Sequence, residues 1–244
     1  MLMNCIRAEN KKLHGSMVWI VFLLVPMISA LYGTFNYLQN QGVLSAGWYD
    51  LFTQHTLFYA MFFYPTLAGV YASYLWRLEH VGHNWNLIMT VPVSPLELFL
   101  GKLAVAVKMS VMTQGWVCIL YGLCGKFWAK LPGFPPMQIL FWMMRGCLAT
   151  IPIAAAQLLL SMVIRSFAPP ILMALAGSVV GILAVDGGKG LLWVYSLMIM
   201  GMNSNSQADM LTGGMGSFLL SGAVYTVVLV FAAYEILKRR DVRA

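Results

Sequence analysis

Six mostly apolar runs divide the chain, and polar residues collect in the breaks between them. A hydrocarbon layer about 30 Å thick needs roughly 20 apolar residues at 1.5 Å of helical rise each. Runs of that length fall at 17–35, 55–76, 103–124, 138–164, 168–185 and 217–237. A seventh stretch, 191–202, is too short to cross and reads as a re-entrant or interfacial element before the last span. The pattern predicts an all-α polytopic membrane protein with six transmembrane helices. No tandem repeat, low-complexity tract or linker sets off a second unit, so residues 1–244 read as one domain. Arg7, Lys11 and Lys12 before an apolar run resemble a signal peptide, but 17–35 is long enough to span and Ile28-Ser29-Ala30 is a poor cleavage site. An uncleaved first span is expected.

Composition agrees: 60% of residues are hydrophobic and 9% charged, against roughly 25% charged in an average soluble domain. Lys and Arg then give the orientation. With the N-terminus inside, one face holds Arg7, Lys11, Lys12, Arg77, Lys102, Lys108, Arg165, Lys238, Arg239, Arg240 and Arg243. The other holds Lys126, Lys130 and Lys189, with Arg145 near it. Both termini come out cytoplasmic, which requires an even number of spans and makes 191–202 non-crossing. The net charge of +7 thus belongs to a lipid surface, and no soluble module presents it to nucleic acid. Cys5, Cys118, Cys124 and Cys147 contain no C-x-x-C pair, so neither a disulfide framework nor a zinc site is expected.

The inner loop, 77–101, carries the most chemistry. Arg77 and Glu79 mark the exit from hydrocarbon. Trp85, Leu87, Ile88 and Met89 make an amphipathic turn or two, able to lie among headgroups or fill a groove on a partner. Pro92 and Pro95 stop that helix, and Ser94 with Glu97 three residues on forms a capping box for the next. His80 and His83 beside Glu79 lack the zincin order and a third ligand, so no metal is expected. Arg145 and Gln157 are candidates for a substrate path, although Phe141-Trp142 before Arg145 favour a place at the outer headgroups. Pro152 predicts a kink, Gln157 a hydrogen bond to a neighbouring helix, and Gly177-x-x-x-Gly181 a close helix contact.

The series Glu79, Gly82, Trp85, Leu87, Pro92-Val93-Ser94, Leu98 and Gly101-Lys102 resembles the inner loop of ABC type-2 transporter permeases. The basic N-terminal segment, the six spans, the half-membrane element and the basic tail match that membrane domain too. The resemblance implies an amphipathic interfacial helix over about 4–15. It also implies an ATPase-coupling site formed by Glu79, Gly82, Trp85, Leu87, Ile88, Met89, Pro92, Val93 and Ser94. The small size, Arg7-Ala8-Glu9-Asn10-Lys11-Lys12-Leu13 and Pro26 resemble lantibiotic (peptide antibiotic) immunity permeases. His83-Asn84 departs from the regular helix expected there. No G-x-x-x-x-G-K-[ST] occurs, and Gly125-Lys126-Phe127 and Gly188-Lys189-Gly190 lack the hydroxyl that holds Mg²⁺. The chain is therefore expected to bind no cofactor, with ATP and Mg²⁺ held by a partner ATPase.

What the resemblance implies, then, is a transport subunit in the cell membrane that expels a lantibiotic or similar antimicrobial peptide for self-protection. Its partners would be two copies of an ABC ATPase, a second permease or another copy of itself, the peptide and lipid. Export of another lipid-embedded antibiotic or a lipid is the alternative on the same fold. An intramembrane enzyme would need converging acid, base or nucleophile within the spans, whereas the eight acidic residues sit almost wholly at ends and loops. A passive channel would not need the loop motif.

Overall fold

The computed structural model describes residues 1–81, 93–211 and 214–239, and no strand occurs among them. The α-helices among the described residues are α1 (Leu2–Leu13), α2 (Val18–Gln39), α3 (Trp48–Phe58), α4 (Tyr64–His80), α5 (Pro95–Leu123), α6 (Met137–Val163), α7 (Ala168–Asp186), α8 (Ser196–Gly201) and α9 (Gly214–Arg239). A π segment, Tyr59–Phe63, joins α3 to α4, and a second, Cys124–Trp128, extends α5.

Among the described residues five helices are long and apolar enough to cross a membrane: Val18–Gln39, Pro95–Trp128, Met137–Val163, Ala168–Asp186 and Gly214–Arg239. Their outer surfaces carry Leu23, Leu24 and Leu31 on α2, Leu172 and Leu183 on α7, and Leu220, Val227 and Phe231 on α9, all exposed. Apolar cover of that extent suits lipid rather than water. The path 48–80 is also continuous helix, but its regular pieces have 11 and 17 residues, each shorter than a span. The break has a local cause. Pro65 has no N–H to give the carbonyl of Met61 four residues back, and Ser178 of α7 donates to that carbonyl instead.

Two ends of the bundle follow from contacts. At the proximal end α1 lies on α5, so close that a side chain at Gly101 would begin 2.9 Å from Cβ of Cys5. His80 Nε2 there meets the carbonyl of Ser161 at 2.9 Å, and the Arg77 guanidinium lies over the Phe167 ring. At the distal end Trp48 donates to the carbonyl of Pro132 at 2.8 Å and Tyr121 to that of Trp48 at 2.7 Å.

Several expected boundaries move. The loop foreseen over 36–54 is largely helical: α2 runs to Gln39 and α3 starts at Trp48, seven residues before the predicted span at 55. Its polar residues misled because they are satisfied inside. Asp50 accepts from the Ala46 N–H at 2.6 Å, Thr34 and His55 pair at 2.8 Å, and Asn36 donates to Gln54 at 2.6 Å. The flanks of the inner segment 77–101 are helical, with α4 continuing to His80 and α5 beginning at Pro95. Of the stretch 191–202 only Ser196–Gly201 is α-helical, after a 3₁₀ turn over Gly190–Leu192, and every residue of α8 is buried.

Gly177 and Gly181 do mark a close contact, though with the chain around α8 rather than another long helix. The Tyr195 ring would sit 2.5 Å from a Cβ at Gly177, and the Ser196 nitrogen 3.1 Å from one at Gly181.

Candidate functional site

α5 begins as its sequence dictates. Ser94 Oγ accepts from the Glu97 N–H at 3.2 Å, the Glu97 carboxylate accepts from the Ser94 N–H at 3.4 Å, and Pro95 occupies the first turn, where no intrahelical partner is lost. α5 therefore starts two residues after Val93, which is half-buried, while Ser94 is exposed. Of the expected coupling residues, Gly82, Trp85, Leu87, Ile88, Met89 and Pro92 lie outside the described residues. Glu79, Val93 and Ser94 stand at the two roots of that loop.

Glu79 does not face out. It is 1% exposed and belongs to a four-charge cluster with Glu9 (3%) and Lys12 of α1 and Lys102 (0%) of α5. The Lys102 ammonium donates to Glu79 at 2.5 Å, to the Leu75 carbonyl at 2.7 Å and to Glu9 at 3.0 Å, so its three N–H groups all have acceptors. The Trp76 ring closes the fourth side, 4.6 Å from Nζ. Lys12 donates to Glu9 at 2.6 Å and also to Glu79. Burial pushes the Glu79 carboxyl up, but the Lys102 and Lys12 ammoniums outweigh it and hold the group below the usual carboxylate range. For Lys12 burial acts downward, and the Glu9 and Glu79 carboxylates lift it above an ordinary lysine.

From sequence, Lys12 and Lys102 belong on the cytoplasmic lipid surface and Glu9 to no site. Lys102 is instead wholly interior. The available signal was compositional: Glu9 and Glu79 are acids in segments otherwise dominated by Lys and Arg. Nothing local, however, marks which lysine each one meets, because the partners of Lys102 are 23 and 93 residues away.

The other two expected residues meet the segment around α8. Gln157 donates to the Tyr195 hydroxyl at 2.6 Å. Arg145, expected among headgroups, is 2% exposed. Its Nε donates at 3.0 Å to the Gly201 carbonyl, which the end of α8 leaves open, and Nη2 at 3.3 Å to that of Met200, which also accepts from the Asn203 N–H at 3.2 Å. Nη1 pairs with Asp209 at 2.9 Å. Asp209 borders a distal cavity of about 370 Å³ that Tyr49, Gln138, Trp142 and Gln207 also line. Cys5, Cys118, Cys124 and Cys147 are all free thiols.

Comparison with curated proteins gives no match. The sequence model of the ABC-2 family transporter proteins matches residues 5–181, from within α1 almost to the end of α7. Such a chain is the transmembrane transport subunit and not itself the ATPase, so an ABC ATPase partner is implied. With the match spanning most of the chain, and with the loop roots, α1 and the long apolar helices all inside or beside it, this protein belongs to the ABC-2 transporter family.

Proposed function

We propose that this chain is the permease of an ATP-driven exporter that clears a lantibiotic or similar membrane-active peptide from the cell membrane. The observation that carries the reading is the proximal end. There Glu79 and Lys102 clamp the two ends of the segment 82–92, on which the ATPase acts, and Glu9 and Lys12 fasten α1 behind that clamp without facing the partner. The helical path 48–80 holds the sixth span, residues 55–76, since its two termini reach opposite ends of the bundle. Both termini are then cytoplasmic, with the buried α8 segment as the re-entrant element. Two ATPase copies and a second permease, or a second copy of this chain, complete the assembly, and ATP and Mg²⁺ reside in the ATPase. The peptide class rests on the resemblance of the short basic N-terminus to lantibiotic immunity permeases.

The test expresses the chain with its ATPase in a sensitive host and measures survival against a panel of lantibiotics. Protection by the pair and by neither subunit alone is expected; equal protection by the ATPase alone sinks the reading. The purified chain should show no ATP turnover.

Within that complex Trp85→Ala should weaken ATPase capture about thirtyfold, because an apolar anchor in a groove is worth roughly 2 kcal/mol or more. Lys126→Ala, on the distal side, should leave capture unchanged. Wild-type capture by Trp85→Ala would make the loop a mere connector.

A further inference from the structure

Burying three charges and half-burying a fourth is a poor way to stabilise a corner of a protein. Their desolvation cancels most of the attraction, and apolar side chains of similar volume usually do as well or better. What such a cluster does supply is a single allowed geometry, because any displacement strands a charge away from water. The geometry here is specific. Glu79 and Lys102 stand on the last turn of α4 and the second turn of α5, so their ion pair holds the two roots of the 82–92 loop together. Glu9 and Lys12, one turn apart on the inward face of α1, each bond to that pair, Glu9 to Lys102 and Lys12 to Glu79. The opposite face of α1, with Arg7, Ala8 and Lys11, is exposed. The Tyr74 hydroxyl adds a 3.2 Å bond to the Lys12 carbonyl, and Trp19 donates to the Leu13 carbonyl at 2.9 Å, which carries the connection on to the start of α2.

We propose that Glu9 and Lys12 are positioning residues for energy coupling: they tie α1 to the clamped roots of the loop, so that a push on the loop moves α1, and through it α2, as one body. The proposal rests on the reading that the ATPase engages this loop. It assigns Glu79 an internal role in place of the surface contact with the ATPase expected from sequence.

The experiment uses the complete complex in lipid vesicles and in cells. Glu9→Gln with Lys12→Met removes the tie from α1 and leaves the Glu79–Lys102 clamp intact. Native Cys5, half-buried against Gly101, reports whether α1 has left its seat. The double variant should raise maleimide labelling of Cys5 at least tenfold while ATPase capture and basal ATP turnover stay at wild-type levels. Survival under the lantibiotic to which the wild-type complex gives resistance should fall at least fivefold. A covalent substitute is available in Gly101→Cys: a Cβ there starts 2.9 Å from that of Cys5, and a disulfide needs about 3.5–4.5 Å, a small outward shift. A copper–phenanthroline catalyst with dissolved oxygen would oxidise Cys5 and the thiol introduced by Gly101→Cys to a disulfide. That bond should restore most of the protection to the Glu9→Gln/Lys12→Met background, and its reduction should remove the protection again.

Three results overturn the proposal. The first is full protection with Cys5 freely labelled, and the second is a Cys5 that stays protected in the double variant. The third is lost ATPase capture in that variant, which would make α1 part of the docking face itself. Failure of the wild-type complex to form is a different outcome and sinks the proposed function instead.

Discussion

Lys102→Met should be the most damaging single substitution at the proximal end, lowering stability by about 3–5 kcal/mol. The side chain is wholly buried, and its ammonium gives all three N–H groups to Glu79, Glu9 and the Leu75 carbonyl. Without it two interior carboxylates share only Lys12, which is 23% exposed in its side chain. The loss should appear as a thermal midpoint in detergent many degrees below wild type. Lys126→Ala at the distal end should shift it little, because that ammonium only rests over the Phe134 and Trp48 rings. The informative companion is Lys102→Met with Glu9→Gln and Glu79→Gln. Most of the damage is the cost of stranded charge, so the neutral triple variant should recover more than half of it. A triple variant no more stable than Lys102→Met would show that packing, not charge, is the cause.

Linkage gives the pH window. Glu79 titrates below its ordinary range in the fold, so its contribution is complete above about pH 5 and is lost as pH falls through the lowered value. Lys12 titrates above its ordinary range, so its contribution is complete below about pH 10 and is lost as pH rises further. The rate of Cys5 labelling, divided by that of the denatured chain at the same pH so that thiolate ionisation cancels, should therefore be low near neutral pH and rise in acid, where α1 leaves its seat.

The long helices were legible because hydrocarbon imposes one length on every crossing element, and α5 also announced its start through Ser94, Pro95 and Glu97. The first part of α3, residues 48–54, was not legible as helix. Its polar residues look like a loop until Asn36 appears opposite Gln54 and Gln207 opposite Asp50 in space. Placing each charge by chain position failed in the same way. Arg7 and Lys102 are both basic residues near the lysine-rich end, and only the fold shows that one is exposed and the other sealed beneath α1. Gly33 carries the same lesson in reverse. It is an ordinary residue of an apolar run, yet a side chain there would begin 2.8 Å from the Gln54 carbonyl oxygen, so the α2–α3 contact depends on it.

At the distal end the larger effect belongs to Arg145 and not to its acidic partner. The guanidinium is 3% exposed in its side chain while the Asp209 carboxylate is 43% exposed, so the two halves of one ion pair have unequal alternatives. If Asp209 becomes Asn, Arg145 keeps the Met200 and Gly201 carbonyls and loses a pair screened by water, a change of about 1 kcal/mol or less. If Arg145 becomes Met, Asp209 turns to solvent, but the Gly201 carbonyl at the end of α8 stays buried without its donor, and that of Met200 keeps only the Asn203 N–H. Hydrogen bonds from a charged donor are worth about 1.5–3 kcal/mol each, and unmet buried acceptors add their desolvation. Arg145→Met should therefore destabilise by about 3 kcal/mol or more. It should also loosen the segment that Tyr195, Ser196 and Ser204 otherwise hold against Gln157, Gly190 and Thr56. Hydrogen exchange over 196–209 in detergent or nanodiscs reads the difference directly. Protection should drop sharply for Arg145→Met and hardly at all for Asp209→Asn. Equal losses in the two variants would mean that the ion pair, and not the capping of α8, holds this segment in the bundle.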